Sequence, residues 1–81
     1  MFEKNDTQEK VSTIIAEILK VEKGTVAPEA TFESLGADSL DRLEIIMKIE
    51  EKFGIEITDE QEASIKSVND AIEAIHTLRN K

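Results

Sequence analysis

Apolar residues recur with a helical period near the start of the chain. Between residues 10 and 20 they follow the spacing i, i+3, i+4, i+7 and i+8, at Val11, Ile14, Ile15, Ile18 and Leu19. This spacing places them on one face of an α-helix, so we predict a first helix over about 6–20. The apolar positions then lose any sustained period for about 17 residues, which predicts a long loop before the second helix.

Capping residues mark where the second helix begins and ends. Asp38 is a good N-cap, and Asp41 stands three residues later, where a capping-box acid can reach back to the cap. We therefore predict that the second helix begins at Ser39. We expect it to run to Phe53, because Gly54 tolerates the left-handed conformation that ends a helix.

Two shorter patterns complete the set of elements. Thr58 or Asp59 is placed to cap a short third helix over about 59–65, and Ser67 to cap a fourth helix. The fourth helix has Val68, Ala71, Ile72, Ile75 and Leu78 on one face. The sequence therefore predicts an all-α fold: a small bundle of three longer helices and one short helix, in a single domain over residues 1–81.

The second helix carries two neighbouring apolar bands. One contains Ile45, Ile46, Ile49 and Phe53, and the other contains Leu40, Leu43 and Met47. Both bands could be core, if this helix lies between two others. Alternatively, the second band could stay exposed beside Ser39 as a docking surface rimmed by charge. The sequence leaves both interpretations open.

Charge and composition narrow the class of protein. The net charge is −8, and residues 38–62 contain nine acidic and three basic residues. Such a surface repels nucleic acids and anionic membranes, and attracts basic protein surfaces. The chain has no cysteine, and no apolar run suits a signal peptide or a membrane span. We expect a cytoplasmic monomer too small for a deep active site of its own.

Ser39 is the residue with the most distinctive placement. At the first position of a helix it lies beside unpaired N–H groups and the positive end of the helix dipole, which would stabilise an attached phosphate. Hydrolase chemistry is disfavoured, because the segment Gly36-Ala37-Asp38-Ser39-Leu40 is not a G-x-S-x-G turn and His76 is the sole histidine. The acids after Ser39 follow helical spacing rather than a calcium-binding loop, so no metal site is predicted.

The segment "GADSLD" followed by "LEIIMKIEEKFGIEI", with "FESLG" before it, resembles the acyl carrier protein family from about Glu9 to Ile75. The resemblance implies that a phosphopantetheinyl transferase attaches 4'-phosphopantetheine from coenzyme A to Ser39, with Asp38 and Leu40 as flanking motif residues. The thiol of that group would hold acyl chains as thioesters, so the protein would be a carrier rather than an enzyme.

The resemblance also assigns recognition and cargo residues. The acidic recognition positions of the second helix match Asp41, Glu44, Glu50 and Glu51, and its apolar contact positions match Leu43 and Met47. Partners would be acyl transferases, ketoacyl synthases, reductases and related enzymes with basic docking surfaces. The matching lining for an acyl chain is Phe32, Leu35, Ile46, Ile49, Phe53, Ile57, Ala63, Ile65, Val68 and Ile72.

Three basic residues on the second helix depart from the familiar pattern of fatty-acid carriers: Arg42, Lys48 and Lys52. We expect Lys48 to pair with Glu44 at i, i+4, and Arg42 to face partners while contributing little to stability. These bases could mark a specialised carrier for polyketide, lipid A or aminoacyl transfer rather than fatty-acid biosynthesis. A rival hypothesis is an acidic assembly subunit that keeps the fold and never loads cargo.

Overall fold

Four α-helices form the framework of the protein. The computed structural model describes residues 3–80, with the helices α1 Lys4–Leu19, α2 Ser39–Phe53, α3 Asp59–Ser64 and α4 Val68–Arg79. The predicted all-α fold is confirmed. Within the described residues, no helix is both long enough and apolar enough to cross a membrane.

The helix limits agree best with the sequence where a capping side chain is present. At the starts of α2, α3 and α4 the cap and the residue three positions later bond reciprocally, in the pairs Asp38 and Asp41, Thr58 and Gln61, and Ser67 and Asp70. By contrast, α1 begins about two residues earlier than predicted. Its N-cap residue Glu3 makes no side-chain capping hydrogen bond, so the sequence carries no strong mark there.

The core lies where α1 packs against both α2 and α4. It is almost entirely aliphatic, since its buried residues are Val11, Ile14, Ile15, Ala16, Val26, Phe32, Ile45, Ile46, Ile49, Ile65, Val68, Ala71, Ile72 and Ile75. The short helix α3 contributes no buried residue of its own. It is therefore held mainly at its two ends, where Ile65 follows it into the core.

The long loop before α2 is folded against the start of α4. A short 3₁₀ turn occupies Lys23–Thr25, and an isolated antiparallel bridge then joins Thr31 to Ser67. The Phe32 amide donates to the Lys66 carbonyl over 3.1 Å. These bonds fix the backbone around Phe32, whose ring is buried, so this loop is an ordered part of the bundle.

Candidate functional site

A tight turn over residues 31–37 leads into the candidate site. The hydroxyls of Thr31 and Ser34 each accept the other residue's backbone amide, at 2.9 and 3.0 Å. The Ala37 amide donates to the Phe32 carbonyl over 3.0 Å, and Gly36 takes φ = 79°. Because this conformation is strained for residues with a Cβ, glycine suits the position that directs the chain into α2.

Ser39 is the first residue of α2, and its side chain is exposed. The Asp38 carboxylate accepts the Asp41 amide over 2.8 Å, while the Asp41 carboxylate accepts the Asp38 amide over 3.2 Å. This capping box holds the first turn of the helix on either side of the serine. The hydroxyl therefore sits at the positive end of a firmly started helix, where a phosphate ester is favoured.

A groove with a volume of about 710 Å³ lies beside the serine. Its lining includes Phe32 and Ala37 from the loop, Ser39 and Arg42 from α2, and Lys66 from the segment before α4. Two cationic side chains thus border the serine in a protein with a net charge of −8. This donor set suits an anionic group esterified to Ser39.

Arg42 does not act as the free surface charge expected from the sequence. Its Nη2 donates to the carbonyl oxygens of Glu62, at 3.3 Å, and Ile65, at 2.7 Å. Its guanidinium carbon also lies 5.7 Å from the centre of the Phe32 ring. These contacts join α2 to the end of α3, a structural role that the sequence did not indicate.

The second apolar band of α2 is exposed, and we call Leu40, Leu43 and Met47 the apolar strip. Their exposed fractions are 74%, 48% and 58%. The first band contains the buried residues Ile45, Ile46 and Ile49. The interpretation in which both bands belong to the core is therefore wrong. The packing of α2 leaves the strip open next to the serine.

The four predicted recognition acids are not equivalent in the structure. Glu44 and Glu51 are exposed. Asp41 belongs to the capping box, and Glu50 accepts the Ile57 amide over 2.8 Å, so both of these carboxylates have structural contacts. The predicted pairing of Lys48 with Glu44 is also wrong, since Lys48 Nζ lies 4.0 Å from Glu51 at i, i+3.

Most of the residues assigned to the cargo lining share the core. Six are buried in it: Phe32, Ile46, Ile49, Ile65, Val68 and Ile72. Leu35, Phe53 and Ile57 are partly buried against it. Ala63 differs, because it lies on the exposed surface of α3. A position on that surface does not line the core, so assigning Ala63 to the lining is wrong for this conformation.

Two further polar residues have positions that the sequence did not indicate. Lys66 reaches the groove because the loop bonds to the start of α4, a long-range contact with no local signal. His76 is partly buried, and its Nδ1 lies 3.2 Å from Oγ1 of Thr7. The sole histidine therefore belongs to a contact between α4 and α1.

Comparison with known proteins agrees with this geometry. The family model for the phosphopantetheine attachment site matches residues 9–75. The chain is also 49% identical over 69 residues to the acyl carrier protein of Thermosynechococcus vestitus. The aligned segment covers 84% of this chain and 85% of that protein. The chain belongs to the acyl carrier family of phosphopantetheine-bearing proteins. Its prosthetic group is 4'-phosphopantetheine, and its class is that of carriers.

Proposed function

We propose that Ser39 bears the 4'-phosphopantetheine arm and that the protein carries acyl groups on it for fatty-acid biosynthesis or a related acyl-transfer pathway. The observation that carries this proposal is the exposed Ser39 hydroxyl at the first position of a capped helix, within a groove that Arg42 and Lys66 border. The end of the helix favours the negative phosphodiester, and the exposure admits a modifying enzyme. Asp38 and Leu40 flank the serine as the rest of the motif.

The residues of the chain orient the serine and attract partner enzymes, while the prosthetic group supplies the reactive sulfur. When attached, the arm provides a thiol that binds acyl groups as thioesters. The capping box of Asp38 and Asp41 fixes the first turn of α2, and with it the position of the serine. In this proposal, partner enzymes perform the catalysis and the chain itself is not an enzyme.

The partner surface that we propose combines the apolar strip with the exposed acids Glu44 and Glu51. Partners would be a phosphopantetheinyl transferase and acyl-handling enzymes with basic docking surfaces. Exposed ion pairs steer association while each adds only about 0.2–1 kcal/mol, which suits a carrier that must be released. Asp41 and Glu50 would add to the acidic field although their carboxylates also bond within the chain. The cytoplasmic, monomeric state stays a prediction.

The cargo would be sheltered in the aliphatic core beside the groove. Phe32 belongs both to the groove and to the core, and Ile46 and Ile65 are buried with it. We propose that an acyl chain enters on this side, so the lining consists of the nine assigned residues other than Ala63. A medium-length chain should then raise the melting temperature, because only the folded state binds it. Burial of each methylene stabilises the folded state by up to about 0.8 kcal/mol.

Intact mass spectrometry tests the attachment site. The unmodified protein is incubated with coenzyme A and a broad-specificity phosphopantetheinyl transferase, and should gain the mass of one phosphopantetheine group. Ser39→Ala should gain none while keeping its helical circular dichroism. Thr77→Ala is the control: it removes another exposed hydroxyl, on α4 and outside the lining of the groove, and should be modified like the wild type. Modification of Ser39→Ala would refute the assignment.

The same measurement separates carrier from assembly subunit. An acidic subunit that keeps the fold without loading cargo would show the same helices and the same surface, but would keep its mass in the presence of the transferase. A specialised carrier for polyketide or aminoacyl transfer would be modified like any other carrier. Transfer assays with fatty-acyl, polyketide and aminoacyl donors would then identify the pathway.

A further inference from the structure

Arg42 is the residue that connects the Ser39 groove, the core and α3. Its Nη2 donates to the carbonyl oxygens of Glu62 and Ile65, over 3.3 and 2.7 Å. Glu62 lies in the last turn of α3, and its carbonyl also accepts the amide of the C-cap residue Ile65 over 3.1 Å. A cation is favoured by the dipole at this end of a helix. Both bonds come from one nitrogen, Nη2, which carries two hydrogens and can therefore donate to both oxygens.

The contact matters because α3 has little else to hold it. The helix has six residues and none of them is buried, so it gains little from apolar packing. The Thr58 capping box holds its start, and Ile65 anchors the segment that follows it. The bond from Arg42 therefore fixes the distance between the C-terminal end of α3 and the first turns of α2.

The same side chain covers the apolar side of the groove. The guanidinium carbon of Arg42 lies 5.7 Å from the centre of the Phe32 ring. Phe32 is 4% exposed and belongs to the core, yet it also lines the groove that contains Ser39. Arg42 and Phe32 both line the groove that contains Ser39, so a chain that passes from Ser39 into the core on this side meets the guanidinium beside the ring.

We propose that Arg42 is a latch between α2 and α3, whose release from the carbonyls of Glu62 and Ile65 opens the passage of an acyl chain into the core. This inference rests on the proposed function, since it assumes cargo that starts at Ser39. The latch is closed in the protein without an acyl chain and open when the chain is sheltered. Arg42 is a positioning residue here, and reacts with nothing.

A thermodynamic cycle tests the latch. Arg42→Met and wild type are each converted to the phosphopantetheine form with coenzyme A and to the octanoyl form with octanoyl-coenzyme A. The variant should lower the melting temperature of the first form by roughly 5 °C, as expected for the loss of about one hydrogen bond in a small domain. It should leave the octanoyl form within about 1 °C of wild type, because the latch is already open there.

Two variants control for charge and chemistry. Lys52→Met removes one positive charge from an exposed residue of the same helix. It should change the melting temperatures of both forms slightly and by the same amount. Arg42→Lys keeps the charge and one donor group, so its effect on the unacylated form should be smaller than that of Arg42→Met. Carbonyl carbon chemical shifts at Glu62 and Ile65 should change with Arg42→Met and with octanoylation, but not with Lys52→Met.

The outcomes separate this inference from the proposed function. If octanoylation stabilises the wild type but Arg42→Met destabilises both forms equally, the contact is purely structural and the latch is rejected. If neither carbonyl shift responds to octanoylation, the latch stays closed and is also rejected. If octanoylation leaves the wild-type melting temperature unchanged, sheltering itself fails, and the latch fails with it. A protein that the transferase does not modify would refute the carrier function directly.

Discussion

Nη2 of Arg79, near the end of α4, lies 3.0 Å from Oδ2 of Asp6 in the first turn of α1. The Arg79 side chain is 6% exposed, and its guanidinium carbon lies 4.7 Å from the centre of the Phe53 ring at the end of α2. One cation thus joins three helices at a point away from the Ser39 groove. The arginine is shielded from solvent but the Asp6 side chain is 42% exposed, so solvent and salt still screen their contact in part.

Asp6 makes the stability of the folded protein depend on pH. Its pKa lies below the ordinary 3.8 because Lys10 and then Arg79 bond to the carboxylate. A lowered pKa in the folded state gives stability that is present above pH 3.8 and is lost as the pH falls through the lower value. Asp6→Asn should therefore be less stable than wild type at pH 7, with a difference that shrinks below pH 3.8.

Urea midpoints measured from pH 7 to pH 2 check this expectation. Glu56→Gln, which changes an exposed acid outside the helices, is the control and should follow the wild-type curve. Asp70 also has a lowered pKa, through the Lys66 amide first and then the Ser67 amide and hydroxyl, so some acid sensitivity should persist in Asp6→Asn. A difference between Asp6→Asn and wild type that is independent of pH would contradict the prediction.

Thr7 is the polar centre of the contact between α1 and α4. Its side chain is fully buried. Its Oγ1 accepts a hydrogen bond from Nη1 of Arg79 over 2.9 Å and lies 3.2 Å from Nδ1 of His76. Thr7→Val keeps the shape of the side chain but removes its hydrogen bonds at a buried position, which leaves polar groups of Arg79 and His76 without this partner. We expect a loss of about 1–3 kcal/mol in the free energy of unfolding, measured by urea denaturation.

Thr13→Val is the matched control for that variant. The Thr13 hydroxyl donates to the Glu9 carbonyl on the exposed side of the same helix, where water replaces a lost partner. Its effect should stay within about 0.5 kcal/mol. Equal losses for the two variants would show that the hydroxyl contacts of Thr7 add nothing.

The Asp38 cap should link stability to the presentation of Ser39. Asp38→Ala removes the acceptor of the Asp41 amide, so we expect a loss of about 1 kcal/mol and slower phosphopantetheine transfer from a frayed first turn. Asp38→Asn keeps an acceptor and should preserve the stability. If both variants slow transfer while Asp38→Asn melts like the wild type, the charge of Asp38 matters to the transferase independently of capping.

The apolar strip should affect partner binding without affecting the fold. Met47→Ala changes an exposed side chain, and we expect a change within about 0.5 kcal/mol in stability together with a raised KM for the transferase. The adjacent Ile46→Ala empties a buried position and should cost about 2–5 kcal/mol. Urea denaturation and steady-state transfer kinetics provide both quantities. An unchanged KM for Met47→Ala and Leu43→Ala would exclude the strip from the docking surface.

The sequence by itself determined the features that depend on neighbours along the chain. The start of α2 at Ser39 follows from a cap and an acid three residues apart, and the end at Phe53 follows from the conformation of Gly54, where φ is 66°. These are local interactions, and their residue types suffice to predict them. The motif around Ser39 is likewise a short continuous segment, so the candidate attachment site was identifiable before any packing was known.

Tertiary structure decided which face of each helix meets which partner. The sequence allowed the strip of Leu40, Leu43 and Met47 to be core or surface, and only the packing of α2 against α1 left it exposed. Arg42 looked like a surface charge because its acceptors lie 20 and 23 positions away along the chain. Such contacts depend on how α2 and α3 approach each other, and periodicity along one helix holds no information about that approach.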